Sequence, residues 1–266
     1  MKGLDNYLTD EPNTRERIEW RNSIHLGDCI EVMKGIPTAG VDMILCDLPY
    51  GTTACPWDTV IPFEQLWNEY LRVIKENGAI VLFGSQPFSS LLIQSCIKYF
   101  RQELIWDKMV GGCFVHANKR VLPAHENLLL FYKKLPTYNP IMVEKEKSKI
   151  RPKSNATTES NVIPMSSGKT EEKCDRTKSY PTSILSYSRK MGECNESQRV
   201  HPTQKPLALL QYLITTYTNE EEIVLDNCMG SGSTCVACKN TGRTYIGIEK
   251  EEKYYKIAEQ RLTSLF

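Results

Sequence analysis

"IVLDNCMGSGSTCVACKNTGRTYIGIE", residues 223–249, carries the pattern that decides the fold. Ile223 to Asp226 read as a buried strand, an apolar run that stops on an acid. A glycine turn follows, in which Gly230 and Gly232 allow positive φ and a close approach to the backbone. Ser231, Ser233 and Thr234 then supply hydroxyls and helix-capping capacity. A second strand, "TYIGIE", ends in Glu249, 17 positions after Gly232. Helix-start amides attract a carboxylate or phosphate, and an acid at the following strand end can take both hydroxyls of a ribose. The loop is not G-x-G-x-x-G, because position 235 is Cys, and it is not a P-loop, because no Gly-Lys-Ser/Thr follows.

The same alternation runs outward along the chain. Apolar runs ending in turn signals recur at "SIHLGD" (23–28), "VDMILCDLPY" (41–50), "GAIVLFGS" (78–85), "QELIWDK" (102–108) and "ENLLLFYKK" (126–134). With the two strands above they make seven strand candidates. Helical spacing lies between several of them: "PFEQLWNEYLRVIKEN" sets Phe63, Leu66, Trp67, Tyr70, Leu71 and Ile74 on one face. "PFSSLLIQSCIKYF", "PLALLQYLITTYT" and "EEKYYKIAEQRL" behave similarly. The expectation is an α/β fold with a doubly wound, mostly parallel seven-stranded sheet covered on both faces. No helix separates "QELIWDK" from "ENLLLFYKK", so these two are expected as an antiparallel pair at a sheet edge. Residues 135–199 break the pattern, being rich in Ser, Thr, Asn, Pro and Lys. Between 141 and 199 there are 12 Lys and Arg against 8 Asp and Glu, and Lys145, Lys147, Lys149, Arg151 and Lys153 fall within nine positions. This stretch reads as an irregular insert between residues 1–134 and 200–266, either a solvated linker or a surface for a polyanion.

Totals narrow the function classes. The 266 residues suit one large α/β domain with an insert, and 33 Lys and Arg nearly balance 32 Asp and Glu. Any nucleic-acid contact must therefore come from a local patch. Ten cysteines are present, but several stand singly in apolar runs and "MKGLDNYLTDEPNTRERIEW" has no signal-peptide core. The reading is a cytoplasmic protein with thiols used as small core residues. Cys235 and Cys238 form a C-x-x-C pair without a second pair at zinc spacing, so no metal centre is expected. No run of 18 apolar residues is present, so no membrane span is expected.

The glycine loop "DNCMGSGST" with "YIGIE" resembles the S-adenosylmethionine loop and ribose acid of the amino-group DNA methyltransferases. "DLPY" (47–50) is similar to the catalytic Asp-Pro-Pro-Tyr of that family, and "HPTQKP" (201–206) to the segment preceding its cofactor loop. The catalytic tetrapeptide comes first and the glycine loop last, as in the permuted β group, whose target-recognition segment lies between the two halves. The resemblance spans roughly 22–134 and 200–262. It implies a Rossmann-like, circularly permuted fold with S-adenosylmethionine as cofactor. Permutation also answers a topological need: after Glu249 only one helix remains, and "SIHLGD" can supply the parallel strand beyond it. Asp28 then stands beside Glu249, where the resemblance sets it against the adenine of the cofactor; capping the helix "CIEVMKGI" is the other use for it. The cofactor set implied is Asp28, Asp47, Thr203, Lys205, Asp226, Cys228, Gly230, Ser231, Gly232, Ser233, Thr234 and Glu249. Lys205 or the Thr203 hydroxyl would meet the cofactor carboxylate. Pro206 suits a helix start, and Thr203 can cap it. Trp106 and Lys108 match an edge-strand motif of the family, though a single Trp there is more often core.

A strand ending in Asp-x-Pro-Tyr can grip one planar base through its exocyclic amino group. Asp47 accepts one amino hydrogen and the carbonyl of Leu48 the other, Pro49 stiffens the turn, and Tyr50 offers a stacking face. Leu48 stands where the family usually has Pro, which costs rigidity but not the carbonyl. No Pro-Cys dipeptide, the nucleophile signature of carbon methylation, is present. The leading reading is a site-specific DNA methyltransferase acting on the 6-amino group of a flipped adenine. Asp rather than Ser at 47 favours adenine over the 4-amino group of cytosine. Methylation of RNA or of a protein glutamine is the second class, and a silent DNA-binding protein the third. The basic stretch 145–153 favours double-stranded DNA as partner, its cations meeting phosphates. A cognate restriction endonuclease and a homodimer are the further partner alternatives.

Overall fold

The computed structural model describes residues 20–52, 58–112, 114–145, 177–188 and 204–264. The chain divides into two compact units, Met1–Asn139 with Ser183–Phe266, and Pro140–Thr182. Within the smaller unit β6 (Val143–Glu144) and β7 (Lys178–Ser179) form a short antiparallel ribbon. The larger unit contains, in chain order, β1 (Ser23–Leu26), α1 (Cys29–Met33), β2 (Val41–Cys46), α2 (Phe63–Val73), β3 (Ile74–Gly84), α3 (Phe88–Ser95), β4 (Phe100–Asp107) and β5 (His125–Phe131). It continues with β8 (Ile184–Ser186), α4 (Leu207–Tyr217), β9 (Ile223–Asp226), α5 (Ser233–Asn240), β10 (Thr244–Glu249) and α6 (Glu252–Thr263).

One sheet runs β1-β10-β9-β2-β3-β5-β4-β8. Every neighbouring pair is parallel except β3–β5 and β5–β4, so β5 alone runs against the rest. Leu26 pairs with Glu249 in β10, so β1 supplies the strand needed beyond α6, as the permuted order requires. Two details differ from the sequence reading. The sheet has eight strands rather than seven, and the antiparallel pair β4–β5 is not at the edge, because β8 lies outside it. β8 comes from within the stretch 135–199; it has three residues and buries only Leu185, too little to show a period. The helix read into the sequence "LRVIKEN" stops at Val73, because buried Ile74 already pairs with Val41 of β2.

Period-2 alternation sorts the sheet residues between two cores. Ile44, Cys46, Ile80, Leu82, Leu129 and Phe131 face α1, α2 and α3, meeting Met33, Leu66, Trp67, Tyr70, Phe88 and Leu92. Met43, Leu45, Val81, Phe83, Leu128 and Leu130 face the other way, onto Leu209, Leu213 and Ile214 of α4 and Ala237 and Cys238 of α5. Strands buried on both faces leave no polar side free, which is why β2 reads as a mainly apolar run whose one acid, Asp42, is buried and paired with Lys75. Function is thereby confined to the carboxyl ends of the strands.

Candidate active site

A cleft of about 440 Å³ opens at that end of the sheet, within the range of sites for small ligands. Its floor is built by the first turns after β1, β9 and β10. Gly232 takes φ 77° at the start of α5, and a Cβ there would lie 2.9 Å from the Cβ of Ala258 in α6. Gly230, at φ +53°, has nothing within 4 Å of where its Cβ would be, so its open side faces the cleft. The loop is held from two directions. Glu249 accepts from the amides of Gly230 and Glu251, each at 2.8 Å. From α6, Arg261 donates to the carbonyl of Ser231 at 2.6 Å and to the hydroxyls of Ser231 and Ser233.

Each acid of the sequence reading on this side lines the cleft. Asp28 caps α1, accepting from the amide of Ile30 at 3.0 Å, and its second oxygen lies 3.8 Å from Lys250. Asp226 is buried and accepts from the amide of Cys228 at 3.1 Å. Burial raises its carboxyl to about 6, against the opposing hydrogen bonds from Thr234 and Cys228. Burial also raises Glu249, and its backbone amide partners offset only part of that. Two carboxylates pushed toward their neutral forms in one cleft are what a site for a cationic, hydroxyl-bearing ligand needs. Beneath them Cys29, Cys46 and Cys228 meet as thiols, with burial pushing Cys46 to about 12.

The other wall begins where β2 ends. Leu48 is buried and anchors the turn. The Tyr50 hydroxyl donates to Asp47 Oδ1 at 2.8 Å, and the ring stacks on Phe88 at 4.9 Å between centroids and 29° between planes. Burial, reinforced by the Asp47 charge, keeps this phenol well above its usual range and hence neutral. Asp58 accepts from the amides of Gly51 and Thr52 at 2.8 and 2.9 Å, fixing the turn from behind.

Lys205 lies on the far side of Asp47. Its ammonium is 2.7 Å from Asp47 Oδ2 and 3.1 Å from Glu126 Oε2, while Lys108 reaches Glu126 Oε1 at 2.5 Å. The side chains of Lys205, Glu126 and Lys108 are only 11, 15 and 10 % exposed. Three rings enclose the Lys205 ammonium: Phe83 at 4.9 Å, Trp106 at 5.9 Å and Tyr50 at 6.0 Å. Burial works against that charge, but Asp47 and Glu126 more than offset it and hold Lys205 above the usual lysine range. Burial likewise works against Glu126, and Lys205 and Lys108 outweigh it and lower its carboxyl. The result is a neutral chain of two carboxylates and two ammoniums whose visible end is Asp47. Lys205, read as a ligand for a cofactor carboxylate, is here engaged by Asp47 and Glu126. Trp106 is both core and cleft wall: it is buried, edge-on to Phe83 at 6.2 Å, and donates from its indole to the carbonyl of Tyr187 at 2.8 Å.

Thr203, Lys147, Lys149, Arg151 and Lys153 lie outside the described residues. Lys145 belongs to the smaller unit, where its amide donates to the carbonyl of Thr177 at 2.7 Å. Glu126, Arg261, Asp58 and Phe88 were not singled out from sequence. Among the described residues no cluster of His, Cys, Asp and Glu is arranged for a metal, and no helix is long and apolar enough to cross a membrane.

The DLPY turn and the glycine loop line one cleft, and a family model described as DNA methylase matches residues 41–260. The chain belongs to the DNA methylase family. This methylase is 29% identical over 265 residues to the DNA adenine methyltransferase YhdJ of Escherichia coli, across 94% of this chain and 85% of that protein. It is 28% identical over 254 residues to the type II methyltransferase M.HpaI of Haemophilus parainfluenzae, across 90% of this chain and 73% of the other. Among solved structures, the methylase matches an M1.HpyAVI–SAM complex with TM-score 0.61 and 25% identity, covering 90% of this chain and 98% of that one. The cytosine-N4-specific PvuII DNA methyltransferase, at TM-score 0.62 and 15% identity over 91% of this chain and 90% of that one, shares the fold.

Proposed function

We propose that this methylase transfers a methyl group from S-adenosylmethionine to the 6-amino group of an adenine flipped out of double-stranded DNA. The observation that carries the reading is Asp47, fixed at a strand end by Tyr50 and Lys205 and facing the cleft. Adenine is favoured over cytosine by Asp at 47 and by the relative named as a DNA adenine methyltransferase. Sequencing DNA from cells expressing the chain, with a method that detects modified bases, is the direct test. Methylated cytosine at carbon 5, or no modified base, would overturn the proposal.

The residues fit the cofactor. Glu249 spends one lone pair of each oxygen on a backbone amide and keeps others for ribose hydroxyls. Asp226, destabilised by burial, suits a cation, and the bare flank of Gly230 leaves room for a chain to pass. When bound, S-adenosylmethionine supplies an electrophilic methyl group on a sulfonium. Asp47 and the Leu48 carbonyl then hold the two amino hydrogens of the base, which aims the nitrogen lone pair and stabilises the positive charge that grows on it. Tyr50, braced by Phe88, presents its ring to the base. Glu249→Ala is expected to weaken S-adenosylmethionine binding by about 1.5–3 kcal/mol, the worth of hydrogen bonds to a charged acceptor. Unchanged affinity in calorimetry would remove Glu249 from the site.

The basic stretch Lys145, Lys147, Lys149, Arg151 and Lys153 is assigned to DNA phosphates. Replacing all five by Ser should flatten the dependence of log affinity on log salt by up to about 4–5, at roughly 0.9 per contact, with cofactor affinity intact. A slope identical to the parent would clear the patch of phosphate contact. The type II name of the M.HpaI relative supports a companion restriction endonuclease, and the cytoplasm is where such a pair meets DNA.

A further inference from the structure

Beyond Lys108, the connection between β4 and β5 takes no part in the grip or the glycine loop, yet it rises from the same end of the sheet. Trp106 before it and Glu126 after it both line the cleft. Its base is closed as a hairpin, with the Lys108 amide donating to Ala124 at 2.8 Å and the Gly112 amide to Pro123 at 3.0 Å. Beyond that closure the apolar side chains point away from the protein. Phe114 is 70 %, Val115 89 % and Val121 93 % exposed. Apolar groups this exposed and this close together mark a surface that something else covers.

Charge identifies the partner. From 108 to 124 there is no Asp or Glu, while Lys108, Lys119 and Arg120 are cations. Lys108 is held by Glu126; Lys119 and Arg120 are exposed, and among the described residues no ion pair involves either. An apolar protein surface laid over this loop would strand both cations without water. A polyanion with an apolar interior would satisfy both halves. Phe114–His116 form one 3-10 turn, and the carbonyl of His116 accepts from the amides of Lys119 and Arg120 at 2.8 and 3.0 Å.

We infer that this loop docks on the DNA duplex beside the target base, with Phe114 and Val115 filling the gap that the flipped base leaves in the stack and Lys119 and Arg120 on flanking phosphates. This rests on the base-flipping reading of the cleft. The test uses the full chain, a duplex carrying the sequence found methylated in cellular DNA, and the same duplex with the target adenine mispaired. Flipping costs a few kcal/mol when the base is paired and least when it is mispaired. The double variant Phe114→Ala, Val115→Ala should therefore lose about 30-fold in kcat/KM on the paired duplex and under about threefold on the mispaired one, with cofactor affinity and thermal midpoint at parental values. Lys119→Gln with Arg120→Gln should flatten the log salt slope by about 1–2. Equal losses of the apolar variant on both duplexes, no loss on either, or a parental salt slope in the charge variant would each overturn the assignment. A parent chain that binds no duplex would overturn the base-flipping reading and the loop with it; a parent that methylates while both variants match it would overturn the loop alone.

Discussion

Asp47→Ala is expected to lose at least about 10³-fold in methyl transfer to DNA, the scale seen when one preorganised group facing a developing charge is removed. The variant keeps the glycine loop and Glu249, so S-adenosylmethionine affinity should stay within about twofold, under 0.5 kcal/mol. What disappears is the acceptor that holds the amino group. The Tyr50 hydroxyl loses its 2.8 Å partner, and Lys205 keeps only Glu126. At position 50 the order follows from the same geometry. Tyr50→Phe preserves the ring stacked on Phe88 and should keep most of the rate, whereas Tyr50→Ala loses a stacking face worth about 1–3 kcal/mol per base. Radiolabelled methyl transfer, with cofactor binding measured in parallel, gives the ranking. A near-parental rate for Asp47→Ala would return the DLPY turn to an ordinary strand exit.

The second large effect concerns stability. Glu126→Gln should lower the unfolding free energy by about 3–5 kcal/mol, because it leaves the buried Lys108 ammonium without its carboxylate and Lys205 with one of two. For a domain of this size that is a fall in thermal midpoint of roughly 6–20 °C, at about 2–4 °C per kcal/mol. Adding Lys108→Met should recover part of the loss, since the double change removes the charge as well as its partner. A midpoint within about 2 °C of the parent for the single variant would show that the network contributes little. Differential scanning calorimetry of the parent, the single variant and the double variant measures both.

The sequence disclosed the parts of the fold that follow from periodicity. β2, β9 and β10 are largely apolar because they are buried on both faces, and the glycine turn needs residues that few other sites require. Acids at strand ends were legible for the same reason: Asp47, Asp226 and Glu249 each stop an apolar run. Glu126 was not, because it begins a run instead of ending one. Only the reversal of β5, expected from the missing helix between β4 and β5, brings its first residues to the end of the sheet where the other strands finish, and which side chain stands there is set by the pairing register. β8 was hidden by brevity, with one buried residue in three. Arg261 looked like any basic residue in the last turn of a helix, its normal place beside the negative end of the dipole, although it reaches the glycine loop. Lys205 was singled out through the resemblance of HPTQKP; its pairing with Asp47 and Glu126 and its enclosure by Phe83, Trp106 and Tyr50 were not legible, because those residues lie far apart along the chain.

The neutral chain Lys108–Glu126–Lys205–Asp47 also bears on the order in which the protein can assemble. Strands β2, β3, β4 and β5 come from one continuous stretch and pair among themselves, so during synthesis they can close before the rest of the sheet exists. That early block contains Asp47, Glu126 and Lys108 but lacks Lys205, and so would enclose two carboxylates with one ammonium. The missing cation arrives with the segment that also brings α4, β9 and the glycine loop, and the edge strand β1 waits longer still for β10. Half of this site is electrostatically incomplete by itself, which penalises a DLPY turn closed before the glycine loop is in place and ties the two halves into one cooperative unit.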